Sequence, residues 1–251
     1  MKNSLVPTHL FLQTMGKNVY QTFTSAVSAS NTLLAILIDP DVFEVATAAQ
    51  FLRKLPAETT HIFVGGSSVP NGKTSAVVTA LKSSTAKPIV LFPGNVSQIC
   101  KEADAILFLN LLSGRNPEYL IGQHIKAVPK LRHTSLEVIS TGYILIDGGN
   151  KSAVARVTAT NALPQDDIQH IVDIAKAGEL LGAKLMYLEA GSGAKVPVSE
   201  AIISAVKNEI SIPLIVGGGI KTEIQKQIAY KAGATMVVMG THFEVRSASN
   251  L

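Results

Sequence analysis

The stretch Tyr187-Leu188-Glu189-Ala190-Gly191-Ser192-Gly193 decides the reading of this chain, together with Gly217-Gly218-Gly219 and Gly240-Thr241 downstream. Each glycine-bearing turn follows a short apolar run. Glycine lets a backbone approach an anion closely and present its N–H groups. One such turn signals only a turn. Three at successive strand ends point to a phosphate site, of the kind a (β/α)8 barrel builds after its last strands. Ser192 adds a hydroxyl. Gly217-Gly218-Gly219 leads into Ile220-Lys221-Thr222 and a helical pattern, so its N–H groups face an anion with the helix dipole behind them. Glu189 ends the first of the three runs, so a candidate general base sits beside the phosphate.

Working outward, apolar runs rich in β-branched residues alternate with segments of helical spacing. Strands are expected at 33–39, 61–66, 87–92, 105–109, 184–189, 213–216 and 235–239, with a longer strand-like run at 136–147 that Thr141-Gly142 interrupts. Strand 33–39 is apolar almost throughout, as expected of a strand buried on both faces. Helices are expected at 42–55, 72–82, 117–128, 166–181, 198–206 and 222–231. Pro117 suits a first helical turn, where its missing N–H costs nothing. Asp166 and Asp167 suit the positive end of the helix they open. Residues 93–102 hold glycine and polar breakers and read as irregular chain, as do 148–164. Residues 1–30 read as an extra N-terminal helix.

Eight strands with mostly helical connections predict an α/β fold, a (β/α)8 TIM barrel formed by one domain over 1–251. A doubly wound open sheet is the competitor. It gathers its ligand residues at one switch point, whereas the candidates here end several separate strands.

Composition narrows the class. The 47% hydrophobic content supplies a sizeable core, and a charged fraction of 16% argues against disorder. The net charge of +4 comes with scattered lysines, which fits an anionic substrate better than nucleic acid. The single cysteine, Cys100, excludes an internal disulfide framework and fits a cytoplasmic protein. Residues 1–20 lack the apolar core of a signal peptide. The run 33–38 is far short of the ~20 residues of a membrane span, so a soluble protein is expected. The six histidines show no metal-ligand spacing, and His242 reads as incidental.

From the residues alone, several functions stay open. A sugar-phosphate isomerase would use Asp39 and Glu189 as an acid/base pair. An aldolase would need a strand-borne lysine, and Lys184 lies at the wrong end of its strand. A non-catalytic binder of a phosphorylated metabolite would keep the glycine turns and need neither carboxylate. Asp39 itself ends the first strand where Pro40 stops regular pairing; it projects into the barrel mouth or caps the segment beginning near Val42. Asp41 reads as a cap.

With Asp39-Pro40-Asp41, Gly65-Gly66-Ser67, Tyr187-x-Glu189-x-Gly191-Ser192-Gly193 and Gly217-Gly218-Gly219-Ile220 in this order, the chain resembles the geranylgeranylglyceryl phosphate synthase family, which includes the bacterial heptaprenylglyceryl phosphate synthases. The likeness runs from about Leu33 to Phe243 and takes in Asn116-x-x-Tyr119-x-x-Gly122 and Thr141-Gly142-Tyr143-Ile144. The resemblance implies a TIM barrel whose helix after strand 3 is replaced by irregular chain, in keeping with 93–102. It implies a Mg2+-dependent prenyltransferase. The 3-hydroxyl of sn-glycerol 1-phosphate attacks C1 of a prenyl diphosphate, geranylgeranyl diphosphate by expectation. An ether forms and diphosphate leaves, as a step of lipid biosynthesis. It also implies a homo-oligomer, dimer or hexamer.

Carried onto this chain, the family's pattern makes Asp39 and Ser67 the metal ligands and Glu189 the general base. Tyr187 hydrogen-bonds the glycerol or faces the developing allylic cation. Tyr187, Leu188, Glu189, Ala190, Gly191, Ser192, Gly193, Gly218, Gly219, Gly240 and Thr241 hold the glycerol phosphate. Phe92, Leu109, Tyr119 and Tyr143 are candidate walls for the prenyl tail and equally ordinary core residues. Two positions depart from relatives that carry a basic residue there: they are Leu37 and Val42 here. Arg115 and Lys151 are the candidate substitutes for contacting the diphosphate.

Overall fold

In the computed structural model, described over residues 18–240, eight parallel strands close into one barrel in sequence order. They are β1 Leu33–Ile38, β2 Thr59–Val64, β3 Ile89–Leu91, β4 Ala105–Leu111, β5 Glu137–Leu145, β6 Leu185–Glu189, β7 Leu214–Gly217 and β8 Met236–Met239. Met236 of β8 lies opposite Leu33 of β1 and closes the ring. The expected barrel is therefore present. Residues 1–17, Thr241 and His242 lie outside the described residues.

Strand alternation sorts the side chains into two layers. Leu185 and Tyr187 of β6 pack with Ile215, Met236 and Tyr143 inside the barrel. Met186 and Leu188 pack outward with Ile202, Ile203 and Val206. Helices α2 Ala48–Arg53, α3 Lys73–Lys82, α4 Gly122–Leu131, α5 Ala153–Thr158, α6 Ile168–Leu180, α7 Glu200–Glu209 and α8 Glu223–Lys231 surround the sheet. No helix among the described residues is long and apolar enough to cross a membrane.

Helix α1, Val19–Ser28, closes the N-terminal end of the barrel. Its Val19 and Phe23 join the interior cluster. The Glu137 carboxylate, at the start of β5, accepts the otherwise orphaned N–H groups of Val19 (2.5 Å) and Tyr20 (3.1 Å). The His61 ring meets the Thr22 hydroxyl at 2.9 Å and packs on Phe23. Burial, with Lys87 nearby, lowers its pKa to about 4, so it is a neutral ring at ordinary pH.

Four segments differ from the sequence expectation. Helix 42–55 shortens to a 3-10 turn, Val45–Thr47, followed by α2. Val42 and Phe43 are spent on a turn, donating to the Asp39 carbonyl. The run 136–147 is one unbroken strand, β5. Gly142 does not interrupt it; a Cβ there would lie 2.8 Å from both Leu112 and Met186. Residues 148–164 are not wholly irregular. They contain α5, capped by the Ser152 hydroxyl accepting the Ala155 N–H and ended by Ala159 in the left-handed region. Helix 117–128 becomes a 3-10 turn, Pro117–Tyr119, and α4. After β3 only a 3-10 turn forms, Val96–Gln98, so no α-helix stands between β3 and β4.

Candidate functional site

A cavity of about 820 Å3 opens at the C-terminal ends of the strands. On β6 the two-residue period turns Tyr187 and Glu189 into it. Leu188 and Ala190 are fully buried in the layer beneath the helices and have no part in its wall. Of the expected glycerol phosphate contacts, Leu188 and Ala190 are thus left with backbone alone. The Ala190 N–H is already given to the Gly217 carbonyl at 3.0 Å.

Glu189 Oε1 accepts the Gly191 N–H at 2.6 Å. Burial pushes the Glu189 carboxyl up to about 7, against the opposing pull of the Gly191 N–H and the Tyr187 hydroxyl. The Tyr187 hydroxyl lies against this carboxylate without reaching hydrogen-bond geometry. The Tyr143 hydroxyl, close to both, is also buried without a partner among the described residues. Burial first, and the Glu189 charge second, push both phenols well above their ordinary range.

The glycine turn after β7 fits around this group. A Cβ on Gly217 would fall 2.4 Å from the Tyr187 hydroxyl and 3.1 Å from Glu189 Oε2. One on Gly218 would fall 2.4 Å from Glu189 Oε1, and Gly218 has a φ of +81°. The N–H groups of Ser192, Gly193, Gly218 and Gly219 donate to no described residue, and all four residues line the cavity. Gly240 lines it too, whereas Gly191 does not. Four open N–H donors beside a near-neutral carboxyl suit a phosphate carrying an ionisable neighbour.

Across the mouth, the Asp39 carboxylate packs against Gly66, where a Cβ would sit 2.7 Å from Oδ1. Oδ1 accepts the Asp41 N–H at 2.9 Å. Partial burial raises the Asp39 carboxyl above its ordinary range, the Asp41 N–H opposing it. Ser67 lines the same wall. Among the described residues there is no group of three or more His, Cys, Asp or Glu able to hold a metal. One carboxylate and a hydroxyl are too few for a protein-only cage. They do fit Mg2+, a hard ion that keeps waters and fills its shell with substrate phosphate.

Arg115 and Lys151 are not on the cavity wall. The Arg115 guanidinium folds back onto the Leu112 and Gly114 carbonyls at 3.2 and 2.8 Å. Arg156 of α5 and Lys221 after β7 line the wall instead, and Leu37 and Val42 line it as apolar groups. Sequence reasoning missed Arg156 because 148–164 read as irregular. The Ser152 cap before an Ala-Val-Ala-Arg-Val run was the available signal.

Phe92, Leu109, Tyr119 and Tyr143 all line the cavity. Phe92, Tyr143 and Tyr187 form an aromatic group with ring centroids 5.2 to 6.0 Å apart. An apolar arm continues along Ile99, Ile106, Phe108 and Ala127, which the sequence reading did not single out. Phe108 stands edge-on to His124 at 4.4 Å. This arm lies where no α-helix stands between β3 and β4.

The sequence profile of the PcrB family matches residues 30–249. Over 212 residues the chain is 56% identical to the geranylgeranylglyceryl phosphate synthase of Zunongwangia profunda, covering 84% of this chain and 91% of that one. It is 50% identical over 227 residues to the enzyme of the same name from Flavobacterium johnsoniae, covering 90% and 93%. Among solved structures, (S)-3-O-geranylgeranylglyceryl phosphate synthase from Thermoplasma acidophilum, in complex with its substrate sn-glycerol-1-phosphate, superposes with a TM-score of 0.83 at 34% identity, over 90% of this chain and 91% of that chain.

Proposed function

This chain belongs to the PcrB family, and from that premise we propose that it is a geranylgeranylglyceryl phosphate synthase. It joins the 3-hydroxyl of sn-glycerol 1-phosphate to a long-chain prenyl diphosphate through an ether and releases diphosphate. The observation that carries this reading is the meeting, in one cavity, of open glycine-turn N–H groups and a carboxyl poised near neutrality.

The phosphate rests on the N–H groups of Ser192, Gly193, Gly218 and Gly219. The glycerol then reaches inward to Glu189. As the 3-hydroxyl oxygen bonds to C1 of the prenyl group, Glu189 takes its proton. The C1–oxygen bond to diphosphate breaks, and the leaving group keeps the electron pair. A base with a pKa near the operating pH combines ionisation with useful strength. The rings of Phe92, Tyr143 and Tyr187 face the allylic carbon, where positive charge is stabilised by aromatic faces. The tail lies along Leu109 and Tyr119 into the arm ended by Ile106, Phe108 and Ala127.

Arg156 and Lys221 face the diphosphate, as their place on the wall supports. Asp39 and Ser67 would hold Mg2+, which when bound offsets charge on the leaving diphosphate. In this reading the enzyme is cytoplasmic and a homo-oligomer. The exposed stripe of Ile121, the residue before α4, with Ile125 and Val128 on α4 favours a subunit contact.

The test is product formation by the purified protein from sn-glycerol 1-phosphate, Mg2+ and a ladder of prenyl diphosphates, with sn-glycerol 3-phosphate as control. A magnesium-dependent ether from the 1-phosphate supports the reading, and the preferred rung gives the tail length. Folded protein that binds the phosphate and makes no ether on any rung would move the function to an isomerase or a binder.

A further inference from the structure

We propose that the rim of the barrel mouth from β5 to β7 docks on an anionic lipid surface, with Lys151, Lys195 and Val196 as its contact; this rests on the reading above, because it concerns where the prenyl product leaves. Three loops are knitted into one crest there. The Lys195 and Val196 N–H groups both donate to the Gly148 carbonyl, at 2.8 and 3.2 Å. A Cβ on Gly219 would fall 3.1 Å from the Val196 carbonyl oxygen, so the turn after β7 lies against the same loop. Residues 147–151, 191–197 and 218–222 carry three lysines, Lys151, Lys195 and Lys221, against one acid, Asp147. The Asp147 carboxylate turns to its own loop and accepts the Gly149 N–H at 2.8 Å. All three lysines are exposed, and among the described residues none of them forms an ion pair. Lys221 lines the cavity and serves the diphosphate, whereas Lys151 and Lys195 lie off its wall and take no part in the chemistry.

Lysines alone would suit any soluble anion. The apolar side chains beside them select a surface. Val196 is 49% exposed in the crest itself, and Val157 and Val42, 45% and 62% exposed, stand on the cavity wall. Cations with exposed apolar groups among them suit the interface of a bilayer, where the apolar groups enter between headgroups and the charges stay with the phosphates. The cavity opens at this same end of the barrel, and its apolar arm holds the tail. Water rejects a long prenyl chain along its whole length, so a product released at this rim needs an apolar phase beside it. A rim resting on a bilayer supplies that phase without the tail crossing water. Each lysine held at an anionic surface strengthens binding about fivefold, and rising salt weakens the contact.

The experiment is co-flotation of the full chain with vesicles of phosphatidylcholine alone and of phosphatidylcholine with phosphatidylglycerol. It compares wild type, the double variant Lys151→Glu/Lys195→Glu, and Val196→Asp. Wild type should float with the anionic vesicles and stay behind with the neutral ones, and raised salt should release it. The double variant should lose more than about tenfold in affinity, and Val196→Asp should lose affinity as well. Both should keep wild-type turnover on a short, water-soluble prenyl diphosphate, and thermal melts check that these exposed substitutions leave the fold intact. No flotation, equal flotation on both vesicles, or a double variant that binds like wild type would overturn the proposal. So would a matching loss of turnover in solution, which places the lysines in the chemistry. Flotation abolished by saturating sn-glycerol 1-phosphate overturns it too, since the headgroup then occupies the glycine turns. Hydrogen exchange on wild type, with and without anionic vesicles, answers without any variant. New protection at 148–151 and 191–197 supports the crest, and protection confined to other faces overturns it. Flotation needs no turnover, so its failure leaves ether formation intact, and a protein that floats but makes no ether fails only the transferase reading.

Discussion

Glu189 Oε1 and the Gly191 N–H are joined at 2.6 Å, so the carboxylate that ends β6 also closes the turn that follows it. Gly191 adopts a φ of +97°, and a Cβ there would lie 2.6 Å from Ser152 Cβ, the cap residue of α5. The Glu-x-Gly spacing is thus a mechanical unit. It ties the base to the phosphate turn on one side and to α5, the bearer of Arg156, on the other. The Gly191 N–H serves the base, while the neighbouring Ser192 and Gly193 N–H groups stay open.

The pH behaviour of Glu189 follows in sign. Its folded pKa, about 7, exceeds the ordinary 4.5. The folded state therefore binds the extra proton between these values. Relative to its ionised form, the group favours the fold fully below about pH 4.5, and that advantage is lost as pH rises through about 7. Glu189→Gln should match wild type at pH 4 and exceed it by about 3 kcal/mol at pH 8 in denaturant melts. In the wild type, kcat/KM should climb with pH through a midpoint near 7. A flat profile with an unchanged chemical step would remove Glu189 as the base.

Gly218→Ala should weaken sn-glycerol 1-phosphate binding and destabilise the fold by about 1–3 kcal/mol. The added methyl meets Glu189 Oε1 and the backbone nitrogens of Ala190 and Gly191 within 2.8 Å, at a φ that L-residues avoid. Calorimetric titration with glycerol phosphate and a thermal melt check both halves. Prenyl diphosphate affinity should hold.

Arg156→Ala should raise KM for the prenyl diphosphate about three- to tenfold and leave KM for glycerol phosphate alone. Its exposed side chain, tied among the described residues only to the Lys151 carbonyl, can turn to an anion at the mouth. Steady-state kinetics with each substrate varied separately distinguishes this from a general loss.

Asp39→Asn should raise the magnesium concentration for half-maximal rate more than tenfold, because the substitution removes the carboxylate charge that stands beside Ser67 on the wall. Chelation of the metal should stop turnover in wild type while calorimetry still shows glycerol phosphate binding. A metal dependence unchanged by the substitution would place the ion elsewhere.

The barrel was legible because its strands are short apolar runs of even spacing, and the phosphate turns because three glycine clusters fall at successive strand ends. The inward aim of Tyr187 and Glu189 follows from strand period two. The same period turns Leu188 and Ala190 away, which the linear motif conceals. Helix α5 was lost in polar chain because six residues with one serine cap give little periodicity. The apolar arm at Phe108 and Ala127 depends on a helix that is missing, and its position only becomes visible once β3, β4 and α4 stand together. The pairing of two orphaned tyrosine hydroxyls comes from the register of β5 on β6.

The most direct test of the account compares Glu189→Gln with wild type in two readouts, ether formation at saturating substrates and the Kd for sn-glycerol 1-phosphate. The account predicts that turnover falls at least about a hundredfold, while the Kd stays within about threefold because the glycine N–H groups are untouched. Near-normal turnover, or a Kd that worsens in step with the rate, would contradict it.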